Sequence, residues 1–169
     1  KKIDLTINKR ILYYIDRLSE ATMLRISQRC EYAIRAMLEL ALRRDRRPVS
    51  IAEIAQAQRL PAKFLAAILA QLKQAGLLES LRGTQGGYRL ARQPHAISVG
   101  EVVRLIDGPM ECTAATAADA EATAAGDVLK EIRAAIKGAV EQVLENMTFA
   151  DLVEREMRRR EILAATYCI

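Results

Sequence analysis

Few residues in this chain of 169 are placed to do covalent chemistry. The single histidine, His95, follows Pro94 in a loop with no second histidine and no cysteine nearby, so a structural role is expected rather than a metal or catalytic one. The three cysteines, Cys30, Cys112 and Cys168, are odd in number and far apart, which argues against a disulfide framework and fits a reducing cytoplasm. Glu111 and Asp119 near Cys112 disfavour a thiolate, so an inert thiol is expected there, and Cys30 reads as a small packing residue. Spacing assembles no nucleophile, base and orienter, and an enzyme is not expected.

The residue types do support non-covalent capture of phosphates and base edges. The stretch "ESLRGTQGGYRL", Glu79 to Leu90, holds Gly83, Gly86 and Gly87 in a turn that Arg82 enters. Three glycines mark a tight hairpin or a backbone approached closely by something. The turn lacks the lysine and hydroxyl of a phosphate-binding loop and lies between two strand-like pieces, so a nucleotide site is not expected. A tip of Gly83, Thr84, Gln85, Gly86 and Gly87, backed by Tyr88, can instead enter a narrow minor groove whose negative potential attracts Arg82. The alternative is a plain hairpin with a solvated arginine. Upstream, Pro61, Ala62, Lys63, Ala66 and Ala67 would present a helix's first turns to base edges in the major groove, helped by Gln56, Gln58 and Arg59 in the turn before it. Only Lys63 is a strong polar contact, so readout there is expected to be weak. Lys73 and Arg89 are candidate phosphate contacts.

These residues need a scaffold, and the periodicity supplies one. Ser27 to Arg43 places Ala33, Ala36, Met37, Leu40 and Ala41 at helical spacing. In "SIAE", Ser50 and Glu53 form a capping box that opens a second helix ending near Gln58. Pro61 fits the first turn of a third helix, with Phe64, Leu65, Ile68, Leu69 and Leu72 as its apolar face and Gly76 as its stop. Leu77 to Leu81 and Tyr88 to Leu90 pair as a hairpin, and a second capping box, Ser98 to Glu101, opens a helix to about Leu105. The expected fold is mainly α with a small β-hairpin wing, a winged helix-turn-helix over residues 23–109. "MECTAATAADAEATAAG", residues 110–126, has little to bury and reads as a mobile or poorly packed loop. From Asp127 to Glu145, Leu129, Ile132, Ile136, Ala139 and Val143 form a seam across about two heptads, too short to stand alone, so residues 127–169 are expected to hold a long dimerisation helix and a last helix capped by Thr148 and Asp151. Residues 1–22 read as an extra helix, a basic arm or sequence upstream of a translation start at Met23.

Charge divides the same way. From Met23 to Asp107 fourteen Lys and Arg face seven Asp and Glu, whereas from Gly108 to Ile169 seven face eleven. A basic front and an acidic, helical rear suit a nucleic-acid binder with a separate assembly element, although surface charge also varies without function. No run approaches the roughly 20 apolar residues of a membrane-spanning helix, and no secretory signal is recognisable, so a soluble cytoplasmic protein is expected.

"RISQRCEYAIRAMLELA", "SIAEIAQAQRLPAKFLAAILAQLKQAGLLESLRGTQGGYRLAR" and "ISVGEVVRLIDGP" resemble the Rrf-two family of bacterial winged-helix regulators, closely over residues 24–109 and loosely to Glu154. The resemblance implies a homodimer, joined through the long helix after the loop, that binds a partly palindromic operator as a repressor or dual regulator. Many members hold an iron–sulfur cluster, 2Fe-2S or 4Fe-4S, on three loop cysteines six residues apart. Cys112 matches the first position, but Ala118 and Ala124 occupy the other two, and a methyl group cannot replace a thiolate. Glu31 stands where other members recruit an acidic ligand from the partner's first helix. Cys112 and Glu31 are too small a set, so no cofactor is expected, with a cluster as the alternative. Some cluster-free members work with a partner enzyme. Ala66 replaces a recognition-helix glutamate of some members, so no operator sequence carries over. The rival reading is a winged-helix module for protein assembly, its basic face meeting an acidic partner.

Overall fold

The computed structural model describes residues 26–43, 47–83, 86–109 and 124–166. The chain divides into two compact units, residues 26–110 with 138–169, and residues 1–25 with 111–137. The described part of the second is the first portion of a long helix.

Ser27 opens the fold. Its hydroxyl accepts from the Cys30 amide at 3.0 Å, starting helix α1 (Gln28–Leu42), which buries Cys30, Ala33, Ala36, Met37 and Leu40 along one face. Asp107, at the end of a later helix, accepts from the Ser27 amide at 2.9 Å and from its hydroxyl at 2.5 Å, so the cap also ties two helices together. Helix α2 (Ile51–Gln58) begins at the full Ser50–Glu53 capping box. Helix α3 (Ala62–Gln74) follows, with Pro61 as its N-cap rather than its first helical residue. Gly76, at φ +76°, turns the chain into strand β1 (Leu78–Leu81), which pairs antiparallel with β2 (Gly87–Leu90), Leu78 opposite Leu90 and Leu81 opposite Gly87. Val49 adds a single antiparallel bridge to Tyr88 on the far side of β2.

A 3-10 turn (Pro94–Ala96) leads to helix α4 (Val99–Asp107), ended by Gly108. Ser98 accepts from the Glu101 amide as expected, but the Glu101 carboxylate takes Arg92 instead of returning to the Ser98 backbone, because the chain on either side of the 3-10 turn brings that guanidinium alongside. Helix α5 (Ala124–Asn146) starts earlier than the sequence suggests. Ala124 to Gly126, read as the end of a loop, belong to its first turn, in keeping with alanine's helix propensity. Residues 110–123 and the N-terminal segment lie outside the described residues. Helix α6 (Phe149–Thr166) is capped by Thr148 and Asp151 in reciprocal hydrogen bonds.

One core unites these elements: Met37, Ile54, Leu65, Ile68, Leu69, Leu72, Leu77, Ile97, Val102 and Phe149 are fully buried. Phe149 reaches it because the start of α6 is laced to the chain before α4, through Val99 N–H to Met147 O and Phe149 N–H to Ile97 O. Phe64 is the exception to its predicted apolar face, at 60% exposed. One residue before Leu65, it is turned about 100° off the core face and stands beside Tyr32 and Ala67 in a groove between α1 and α3.

Candidate nucleic-acid interface

The turn between α2 and α3 is made by Arg59, which adopts the left-handed conformation at φ 51°, ψ 48°. Leu60 donates its amide to Ala55 and buries its side chain, pinning the turn to the core. A polar chain from α1 holds the same turn. Glu39 is 6% exposed, accepts a two-pronged contact from Arg43 at 2.9 and 3.1 Å, and accepts from the Gln58 side-chain amide at 3.0 Å. Arg35 donates to the Gln58 carbonyl oxygen and pairs with Glu31. Gln58, expected as a base contact, thus spends its side-chain NH2 inside the protein and stands half-buried. No pattern in the sequence marks Glu39 and Arg35 as holders of this turn.

Beyond the turn, Pro61, Ala62, Lys63, Ala66, Ala67, Ala70 and Lys73 are all exposed on α3. The structure therefore brings the predicted helix residues onto one accessible side, small except for its two lysines.

The wing glycines divide by cause. A Cβ on Gly87 would lie 2.4 Å from the Val49 carbonyl oxygen, and one on Gly86 would lie 2.4 Å from that of Leu81. Both positions are filled by the protein's own backbone: Gly87 lets the Val49 bridge close, and Gly86 closes the turn by donating to the Gly83 carbonyl at 2.9 Å. Gly83, by contrast, has nothing within 4 Å and sits at φ +113°, a conformation that favours glycine. Arg82 and Gly83 are exposed, Tyr88 is half-buried with its backbone paired to Val49, and Thr84 and Gln85 lie outside the described residues.

The pairing of charges sorts the basic side chains. Arg35, Arg43, Arg47, Arg89, Arg92 and Arg104 each have a carboxylate partner, Arg89 on Glu79 at 2.8 Å. Arg29 on α1 donates to the Gln71 side chain at 2.7 Å and has no carboxylate partner, and among the described residues neither do Arg59, Lys63, Lys73 and Arg82. These four come from the turn, the helix and the wing. A carboxylate beside a cation weakens the field it shows to a distant polyanion, so unpaired cations are the ones a polyanion meets at full charge.

The predicted seam lies on α5, with Ile132 and Val143 at 50% and 58% exposed, Ala139 exposed and Ile136 half-buried. Val128, which the seam did not include, extends the same stripe at 55% exposed. The residues at the cluster positions do not fit an iron–sulfur group. Ala118 and Ala124 bring no donor atom, the Glu31 carboxylate is engaged by Arg35 at 3.4 Å, and no three His, Cys, Asp or Glu converge among the described residues. Cys30 is buried and its thiol is pushed up to about 12, first by burial and then by the neighbouring Asp107 charge and hydrogen bond, which disfavours the thiolate a cluster ligand needs. Among the described residues no helix is long and apolar enough to cross a membrane.

A family model described as an iron-dependent transcriptional regulator, Rrf2, matches residues 26–155. The HTH-type transcriptional regulator CymR of Bacillus subtilis is 33% identical over 129 residues, 76% of this chain and 89% of its own length. IscR of Vibrio cholerae is 37% identical over 90 residues, 53% of this chain and 52% of its own length. Among solved structures, CymR, the global cysteine regulator of B. subtilis, superposes with a TM-score of 0.70 at 33% identity, over 79% of this chain and 98% of that one. IscR of T. potens gives 0.65 at 34% identity, over 79% and 88%.

Proposed function

Because the chain belongs to the Rrf2 family of helix-turn-helix transcriptional regulators, we propose that it is a homodimeric repressor that lays α3 in the major groove and its wing in the minor groove of a partly palindromic operator. The observation that carries this reading is that Arg59, Lys63, Lys73 and Arg82, cations without carboxylate partners, lie on the turn, the helix and the wing that such a docking uses. Residues 23–109 are the DNA-binding part, and residues 127–169 carry assembly through the apolar stripe of α5. The small side chains of α3 leave base readout to Lys63 and to contacts with thymine methyls, so operator preference comes largely from the wing and from DNA shape.

The protein works without a cluster, since the donor set at the cluster positions is incomplete. An anaerobic absorption spectrum with iron and sulfide assays is expected to show a colourless, iron-free protein that still binds its operator; a bound cluster overturns this point. As in cluster-free relatives, a partner enzyme is one route by which a signal could reach it.

Fluorescence anisotropy with genomic and random DNA tests the core of the proposal. A tight genomic fragment is expected, and Arg82→Ala should weaken binding most where A·T-rich flanks narrow the minor groove. Equal loss on every sequence would reduce Arg82 to a phosphate contact. Absence of any tight fragment would favour a protein-assembly module.

A further inference from the structure

A second group of arginines faces a different place. Arg43 at the end of α1, Arg47 before the Val49 bridge, Arg89 on β2 and Arg92 after it line a pocket of about 140 Å³, together with Leu40, Ala41, Leu90, Gln93 and Pro94. No carboxylate is among the lining residues. The pocket lies at the Leu90 end of β2, roughly 10 Å of strand from Gly87 and the wing tip.

These arginines differ from those of the candidate interface in being tethered. Arg43 and Arg89 each place Nε and Nη2 on one carboxylate, of Glu39 and Glu79, and Arg92 donates to Glu101 and to the Ala96 carbonyl. Arg47 approaches Glu53 at 3.7 Å. The carboxylates lie outside the pocket lining, so they fix each planar fork without occupying the space between them. Among the described residues the Nη1 groups of Arg43 and Arg89 have no partner. Paired arginines attract a distant polyanion poorly, because their net field is small. They suit a small anion held by contact, because donors already oriented lose little freedom when it binds. The volume falls below the range of about 300–1,000 Å³ typical of drug-sized ligands, which limits the occupant to a compact anionic group.

We propose that this pocket at the base of the wing binds a small phosphate-bearing anion from solution, separately from DNA. It joins α1, the bridge strand and β2, so occupancy would bear on the wing that the DNA-binding reading uses, but binding itself does not rest on that reading.

The test is a thermal-melt and calorimetric titration of the full chain with inorganic phosphate and with pyrophosphate, ionic strength held constant with chloride. A saturable rise in melting temperature is expected. The calorimetric affinity should fall by about tenfold or more in Arg89→Gln/Arg92→Gln, as loss of charge-assisted hydrogen bonds implies. Operator affinity of Arg92→Gln alone in phosphate-free buffer should match that of the unaltered protein. If the double variant does not fold, Arg92→Gln alone carries the same comparison. A rise that does not saturate, or one equally large in the variants, overturns the proposal. So does a variant that keeps its phosphate response but loses operator affinity with a salt slope shallower by about one or two, which would make these arginines DNA backbone contacts.

Discussion

Gly87 is glycine for the sake of Val49, not for the sake of a ligand. A methyl group there meets the Val49 carbonyl at 2.4 Å, and that carbonyl is already accepting from the Tyr88 amide at 2.8 Å. Gly87→Ala must therefore push the bridge strand off β2, at a cost of about 1–3 kcal/mol. Gly83→Ala meets no atom and only strains a positive φ, at about 1 kcal/mol. Urea unfolding of the two variants should separate them in that order, and equal losses would mean that the bridge yields easily. Glu39 offers a second contrast at this scale. Glu39→Ala leaves both the Gln58 amide and Arg43 without their acceptor, and since Arg43 still reaches water the expected loss is about 2 kcal/mol. Glu39→Gln keeps an acceptor oxygen and should cost about half as much. An alanine variant no worse than the glutamine one would remove Glu39 from the support of the turn.

At the scale of elements, the caps make stability depend on pH. The Glu53 carboxyl is held below its ordinary 4.5 chiefly by the Ser50 backbone amide and then by the Ser50 hydroxyl, with smaller help from Arg47 and Arg43. Asp151 is held below 3.8 by the Thr148 amide, then its hydroxyl, then Arg155. Both folded values lie under the unfolded ones, so the stabilisation is complete above the ordinary values and is lost as pH falls through the lowered ones. The urea midpoint should drop on acidification below about pH 4.5, and less steeply in Glu53→Gln/Asp151→Asn; identical slopes would refute the assignment. Such caps were legible in the sequence because their partners are three residues apart. The order of helices, hairpin and helix was legible for the same reason, each element carrying its own periodicity and stop signal. Phe64 was not, since its hydrophobicity counts toward an apolar face that its angle on the helix leaves exposed. Glu39 was not either: it reads as a solvated residue, and its acceptors are used by a side chain on another helix. The wing glycines were visible as a cluster, yet which of them yields to the protein's own backbone depends on Val49, a residue outside the hairpin.

For the whole molecule, affinity and assembly are linked through one measurable slope. If Arg59, Lys63, Lys73 and Arg82 each neutralise one phosphate, a dimer contacts about eight, and log affinity should fall against log salt with a slope of about −7. The stripe on α5 that would join two subunits is interrupted by charge in Ile132→Glu/Val143→Glu, at two half-exposed positions where the single chain has little packing to lose. That variant should elute as a monomer and melt near the unaltered temperature. Its residual DNA binding should show a slope of about −4, half the original, because only one wing and one recognition helix remain on the duplex. A folded monomer with the full slope would mean that one chain supplies all the phosphate contacts. A variant that stays dimeric with its slope intact would move the subunit contact off α5 altogether.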